Sequence, residues 1–364
     1  MRKSFEAPKL PIEPAKIDQC SFLDVLISAA SKLEVYKSKL NDSKVSSNWI
    51  LPTLQNKEAL ASTKLEGTQA TLNGMLLDQI TPKEDDQNIN ETRNYLNASV
   101  LGFQELRRNS FSKDLICQLH RTLLSGNVRK RENSIIGSYR TTQNYIGLLG
   151  GAHDVTYVPP KPECVENLMK NLIDYMNNPE DKYQPLVRTA IIHAQMLTIH
   201  PFDDGNGRVG RILIPLYLYY AQQIELPCFF ISEALESDKF MYYRLLNETR
   251  EEAGWNEWIR FFLSAVAKQC EKYIYIVDSI NELYENHIRK AGDVIKNSAV
   301  VKIINSIYRH PILTAAMVVQ ETGLSYTTAN RYLGQLTNHK ILYTDSKRRN
   351  KNYYCYDLLD VLKI

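Results

Sequence analysis

Residues His200 to Arg211 read HPFDDGNGRVGR, placing a base, a carboxylate, a Gly-Asn-Gly turn and two arginines in one short stretch. Such a set suits phosphate chemistry. Gly205 and Gly207 let backbone amides approach phosphate oxygens closely. Asn206, between them, can donate its side-chain amide to the same oxygens. Arg208 and Arg211 are three apart, hence on one helix face, and form a two-pronged clamp for a polyphosphate. Asp204 is a hard oxygen ligand suited to Mg2+. His200 is the group able to take a proton from an attacking hydroxyl. A polar loop with a capping Asp would account for any one of these residues, but not for all of them at this spacing. A P-loop is excluded on chemistry, since no GK[ST] pair is present to hold phosphate and metal.

The elements that must position these groups are legible on either side. Pro185 opens a run in which Leu186, Val187, Ala190, Ala194 and Leu197 mark one helix face. The run breaks at His200-Pro201, because proline disfavours a helical residue before it. Downstream, Val209, Ile212, Leu213, Leu216 and Tyr220 form a second stripe. A buried helix, a Gly-rich turn and another buried helix present amides to an anion. Phe202 is expected to turn inward and anchor the turn. Pro215 lacks the amide that would bond the carbonyl of Arg211, which predicts a kink there.

The segment matches the Fic (Fido) signature HxFx(D/E)GNGRxxR at every fixed position, and the chain resembles that family. The resemblance implies a mainly α fold: a Fic-type helical core with a β-hairpin flap, plus a small winged-helix domain. It also implies a Mg-ATP-dependent adenylyltransferase, moving AMP from ATP to a hydroxyl of a target protein. On this basis His200 is the general base and Asp204 the Mg2+ ligand. Asn206 and the flanking amides hold the α-phosphate, and Arg208 and Arg211 the β- and γ-phosphates. Gly205, Gly207, Val209 and Gly210 complete the nucleotide-binding stretch. Tyr242 and Asn247 are adenine-side candidates by family position.

Ser62 and Glu66 share a helix face, and Gly67 supplies a bend after it. Alone, these residues describe a solvated helix end. They also match the family's inhibitory-helix motif (S/T)xxxE(G/N), expected near 56–67. The resemblance then implies that Glu66 pairs with Arg211, takes the place of the γ-phosphate and restrains the enzyme. Removal of AMP from a modified protein would use the same pocket, with Glu66 positioning water, and is the alternative activity.

Three segments are expected: an amino-terminal helical region over 1–95, the catalytic core over 96–296 and a winged-helix-like domain over 297–364. Residues 1 to about 20 are expected to lie as an extended arm. Trp49 and Leu51 to Leu54 read as an apolar linker before a helix over Asn56 to Leu65. Gly137 to Gly151 has the alternation and terminal glycines of a hairpin. By resemblance it is the flap, along which a protein substrate with an exposed hydroxyl pairs its main chain. The chain itself is a further acceptor on this reading, and a homodimer a further assembly. Thr314 and Ser325 are expected helix caps, and Ile341 to Thr344 and Tyr353 to Tyr356 alternate like strands. Arg331, Lys347, Arg348, Arg349 and Lys351 would suit phosphate contacts in a DNA-binding regulator whose Fic core senses nucleotide. Base-reading arginines are sparse in that helix, so a protein-docking module is preferred.

Composition agrees with an ordered globular protein: 364 residues, 44% hydrophobic, 23% charged and a net charge of only +3. That charge gives no general argument for nucleic acid. The six cysteines lack CxxC spacing and read as reduced residues of a cytoplasmic protein. No secretory signal or membrane span is expected.

Overall fold

A computed structural model of the chain describes residues 3–82, 85–147, 155–178, 180–251, 254–296, 298–347 and 349–363. The fold is mainly α-helical with two small sheets. In chain order the helices are α1 Leu23–Asn41, α2 Ser47–Leu65, α3 Leu72–Asp78, α4 Gln87–Leu106 and α5 Lys113–Leu123. They continue with α6 Pro162–Asn177, α7 Pro185–Ile199, α8 Asn206–Tyr220, α9 Ser232–Ser237 and α10 Lys239–Glu248. The last are α11 Trp255–Val294, α12 Ala299–Arg309, α13 Ala315–Thr322, α14 Tyr326–Asn338 and α15 Tyr356–Lys363. Strands β1 Ile146–Gly147 and β2 Val155–Tyr157 pair antiparallel. Strands β3 Ile312–Thr314, β4 Tyr343–Thr344 and β5 Asn352–Tyr354 form a second antiparallel sheet in the order β3-β5-β4.

Two compact units share the chain. The first comprises residues 1–32, 57–70 and 84–269, and the second residues 33–56, 71–83 and 270–364. In the first unit α7 is buried from Leu186 to Ile199, and α8 is buried over most of its length. Such all-round burial marks a core pair rather than a surface pair. Helix α4 packs on both α5 and α8. It approaches α8 so closely that a β-carbon on Gly102 would collide with the Leu216 side chain. The amino-terminal arm is not extended throughout, since Pro14–Lys16 and Gln19–Phe22 are 3-10 turns, but it is pinned: Phe5 N donates to Val158 O at 2.9 Å, and Asn171 exchanges hydrogen bonds with both main-chain groups of Leu10.

In the second unit Leu76, Ile312 and Leu359 form an apolar cluster, with Leu72 and Leu77 against it. Thr314 and Ser325 cap α13 and α14, accepting from Met317 N and Thr328 N, and α13 ends at Gly323 with φ 71°.

Two expectations need correction. The stretch from Trp49 to Leu54 is not a linker but part of one continuous helix, α2. Pro52 sits in its second turn, where its missing N–H costs one ladder bond, and its carbonyl accepts from Asn56 Nδ2 at 2.9 Å. The hairpin lies further on than expected. Its first strand falls inside 137–151, but its second is Val155–Tyr157, while 137–145 is irregular. Positions 148–151 of the expected flap lie outside the described residues, as does Arg348. Strand β3 was not anticipated, because three residues following a proline carry too little alternation to register. Pro215 lies inside α8, which continues to Tyr220.

Candidate active site

Helix α7 ends at His200, which adopts a left-handed backbone (φ 52°) while its N–H closes the helix on Met196 O at 3.0 Å. A non-glycine residue takes this conformation only when its surroundings hold it there. The holder is Arg140, only 2% exposed. Its Nε donates to His200 O at 2.8 Å, its Nη2 reaches Pro160 O, and its main-chain N donates to Pro201 O at 2.8 Å. The imidazole of His200 is half-buried. Burial first, then the nearby charges of Arg140 and Arg250, push it down to about 3. It is therefore held neutral near pH 7.

The turn after His200 is closed from within. Asn206 Oδ1 accepts from Phe202 N at 2.9 Å, and Asn206 Nδ2 donates to Phe202 O at 2.7 Å. Phe202 is fully buried, stacked on His120 with ring centroids 3.9 Å apart. His120 ties the turn to α5. Its Nδ1 accepts from Gly137 N at 2.9 Å, which leaves Nε2–H to donate to Asp204 O at 3.0 Å. Gly205 then begins α8 with φ 76°, a conformation glycine takes without strain. Asp204 Oδ2 accepts from Arg131 N at 3.0 Å, and its Oδ1 lies 3.5 Å from Arg208 Nη2. With its side chain 31% exposed, the carboxylate keeps lone pairs toward solvent.

Both arginines of the clamp are buried. Arg211 Nε donates to Ser62 Oγ at 2.8 Å, and its Nη2 to Ser62 O at 3.0 Å and Glu66 Oε1 at 2.6 Å. Two donors are left over: among the described residues, Arg208 Nε and Arg211 Nη1 are buried without a hydrogen-bond partner. Glu66 reaches α8 at its first turn, since a β-carbon at Gly207 would collide with Glu66 Oε1. Burial works against the Glu66 charge, but Arg211 outweighs it and holds the carboxyl below its usual range. For Arg211 the same pairing overcomes burial and raises the guanidinium further. The end of α2 is fastened as well, with Lys239 Nζ donating to Leu65 O at 2.7 Å.

Helices α2, α7 and α8 thus bring Ser62, Glu66, Arg208 and Arg211 together, with His200 and Asp204 in the turn joining α7 and α8. Val209 and Gly210 are buried within α8, and Gly210 O receives His193 Nδ1 at 3.0 Å. Tyr242 does not form the wall of an open pocket: it is fully buried and its hydroxyl bonds His193 Nε2 at 2.9 Å. Asn247 is exposed, and its Oδ1 accepts from Arg250 Nη1. Among the described residues no cluster of three or more His, Cys, Asp or Glu side chains could hold a metal. His120, Arg140 and Asn144, whose Nδ2 donates to Phe202 O at 2.9 Å, are site-building residues that sequence reading missed. No local pattern singles them out, because each acts across a long chain separation.

Residues 110–218 match the Fic/DOC family and residues 23–104 match its amino-terminal region, between them more than half of the chain. The chain belongs to the Fic/DOC family. It is 34% identical over 125 residues to protein adenylyltransferase fic-1 of Caenorhabditis elegans, covering 34% of this chain and 22% of that one. It is 29% identical over 187 residues to protein adenylyltransferase Fic of Nematostella vectensis, covering 51% of this chain and 38% of that one. The match thus spans well under half the length of these relatives. In fold, it is similar to a Fic family protein from Desulfovibrio desulfuricans G20, with a TM-score of 0.58, 20% identity and coverage of 96% and 98%. Fic-1 from C. elegans aligns with a TM-score of 0.51, 20% identity and coverage of 73% and 74%.

Proposed function

We propose that the protein transfers AMP from ATP to a Ser, Thr or Tyr hydroxyl of a protein, its own included, and that Glu66 restrains the reaction. The observation that carries this reading is the pair of orphaned buried donors, Arg208 Nε and Arg211 Nη1, beside a carboxylate bound to Arg211. Buried N–H groups without partners await an anion, and a polyphosphate supplies several. The named relatives are adenylyltransferases.

On this reading the acceptor oxygen attacks the α-phosphorus while its proton passes to the neutral imidazole of His200. The bond to the β-bridging oxygen breaks and pyrophosphate leaves. Amides at the start of α8 and the two guanidinium groups face the charge that develops on the transferred group. Asp204 would hold Mg2+, which when bound neutralises phosphate charge. Glu66 stands where the outer phosphate would meet Arg211, so the nucleotide is repelled or turned from the in-line pose. Residues 299–363 form a helical unit with a small sheet, which we read as a winged-helix module for protein docking.

The test is intact-mass measurement with Mg-ATP for the wild type, Glu66→Gly and Glu66→Gly/His200→Ala. The expected result is little AMP on the first, a gain of one or more AMP on the second and none on the third. Equal labelling of all three would overturn both the base and the restraint.

A further inference from the structure

Arg250 follows α10 and lies in the first unit. Its guanidinium carbon lies over the ring of Tyr157, 3.4 Å from the ring centre. Tyr157 is in turn fixed by its hydroxyl donating to Thr198 O at 2.7 Å, in the last turn before His200. Asn247 Oδ1 accepts from Arg250 Nη1. Among the described residues Arg250 Nε is buried with no hydrogen-bond partner. No described carboxylate pairs with this guanidinium. Burial pushes it down to about 10, with only Tyr157 opposing.

A half-buried arginine, oriented by an aromatic face and an amide and without a counter-ion among the described residues, is costly to keep as pure structure. Its fork matches a carboxylate in two-point geometry. Its place identifies the source of that carboxylate. Tyr157 closes β2, directly opposite Ile146 of β1. The next residue, Val158, already receives one polypeptide segment, the chain's own arm, through Phe5 N. Through Thr198 the Tyr157 ring leads to His200, two residues on, whose imidazole feels the Arg250 charge. The clamp for a polyphosphate is built separately, from Arg208 and Arg211 on α8.

We infer that Arg250, held by Tyr157 and Asn247, receives an aspartate or glutamate carboxylate of the polypeptide that brings its hydroxyl to His200. This rests on the transferase reading above for its biological meaning, though not for its test. Arg250 would thus set acceptor specificity, with Asn247 and Tyr157 as positioning residues.

The experiment is selection of bound members from a library of extended peptides by the full-length protein at low salt. Each peptide carries one central Tyr, Ser or Thr with randomised flanks. The expected result for the wild type is roughly tenfold or greater enrichment of Asp and Glu over Asn and Gln at one flanking position, the ratio a charge-assisted bond gives. Arg250→Gln should abolish the enrichment, and Arg250→Lys, which keeps the charge without the fork, should retain a weaker one. ATP affinity, measured in parallel, should be unchanged in both variants. Acidic enrichment that survives in Arg250→Gln overturns the inference, as does its absence in the wild type. An equal loss of ATP affinity would assign Arg250 to the nucleotide and overturn it likewise. Should Arg250→Gln not fold, enrichment in Arg250→Lys undiminished from wild type would refute the two-point contact. Acidic enrichment without AMP transfer by Glu66→Gly would count against the transferase reading alone.

Discussion

Arg211 has a side chain with no exposed surface, and a guanidinium so placed requires an anion. Glu66 and Ser62 satisfy it here, and on our reading an outer phosphate of ATP would do so in their stead. This exchange has a thermodynamic consequence that does not depend on turnover. Breaking a buried ion pair costs about 3–5 kcal/mol. Here the cost is smaller, because Glu66 is 36% exposed and solvent screens it. Glu66→Gln should therefore lower the melting midpoint of the nucleotide-free protein by several degrees. Mg-ATP should raise the midpoint more in the mutant than in the wild type, since it meets a free guanidinium and no carboxylate. Melting curves with and without Mg-ATP check this, and equal shifts in the two proteins would show that Glu66 and nucleotide do not compete. Because Arg211 holds the Glu66 carboxyl below its usual 4.5, the stability gap belongs to pH values above 4.5 and should close as pH falls below that.

Between elements, two buried histidines act as cross-ties. His193 joins α7 to α8 through Gly210 O and to α10 through Tyr242. His120 joins α5 to the motif turn through Asp204 O. Burial pushes His193 down to about 3 and His120 to about 4, and His200 also to about 3. The unfolded chain takes up a proton at each near 6.5, whereas the folded protein does not until far lower. Stability should therefore fall as pH drops from about 6.5 toward 4, by up to about 1.4 kcal/mol per pH unit for each histidine. His193→Asn should flatten that slope by about one proton in urea unfolding between about pH 5 and 6.5. An unchanged slope would mean that His193 is protonated in the fold. A second prediction concerns the α4–α8 contact. Alanine ordinarily favours a helix over glycine by about 1 kcal/mol. Gly102→Ala should nonetheless destabilise, by about 1–3 kcal/mol, because its β-carbon would meet Leu216 in a packed core. A higher melting midpoint for the variant would show that the two helices can part cheaply.

At the scale of the whole molecule, what was legible in the sequence follows the range of the forces involved. The motif helices, the caps at Thr314 and Ser325 and the inward turn of Phe202 rest on local spacing, and all stand in the structure. His120 meets its partner Asp204 across 84 residues, and Arg140 meets His200 across 60, so neither left a mark that periodicity could detect. The same holds for α3, a short helix that reads as amino-terminal yet shares the cluster of Leu76, Ile312 and Leu359. That sharing yields a test. The segment 297–364 looks removable by sequence, but cutting after residue 296 would strip Ile312 and Leu359 from Leu76 and its neighbours Leu72 and Leu77. Exposed apolar clusters of this kind bind hydrophobic dyes and promote association. A 1–296 chain should therefore bind anilinonaphthalene sulfonate more strongly than the full chain and aggregate on concentration. Replacing Leu76 and Leu77 by Ser in the shortened chain should reduce both effects. In the full chain Leu76→Ser should instead destabilise, because there it opens a cavity and buries a hydroxyl. If the shortened chain stays monomeric and silent to the dye, α3 does not depend on the carboxy-terminal segment for its cover.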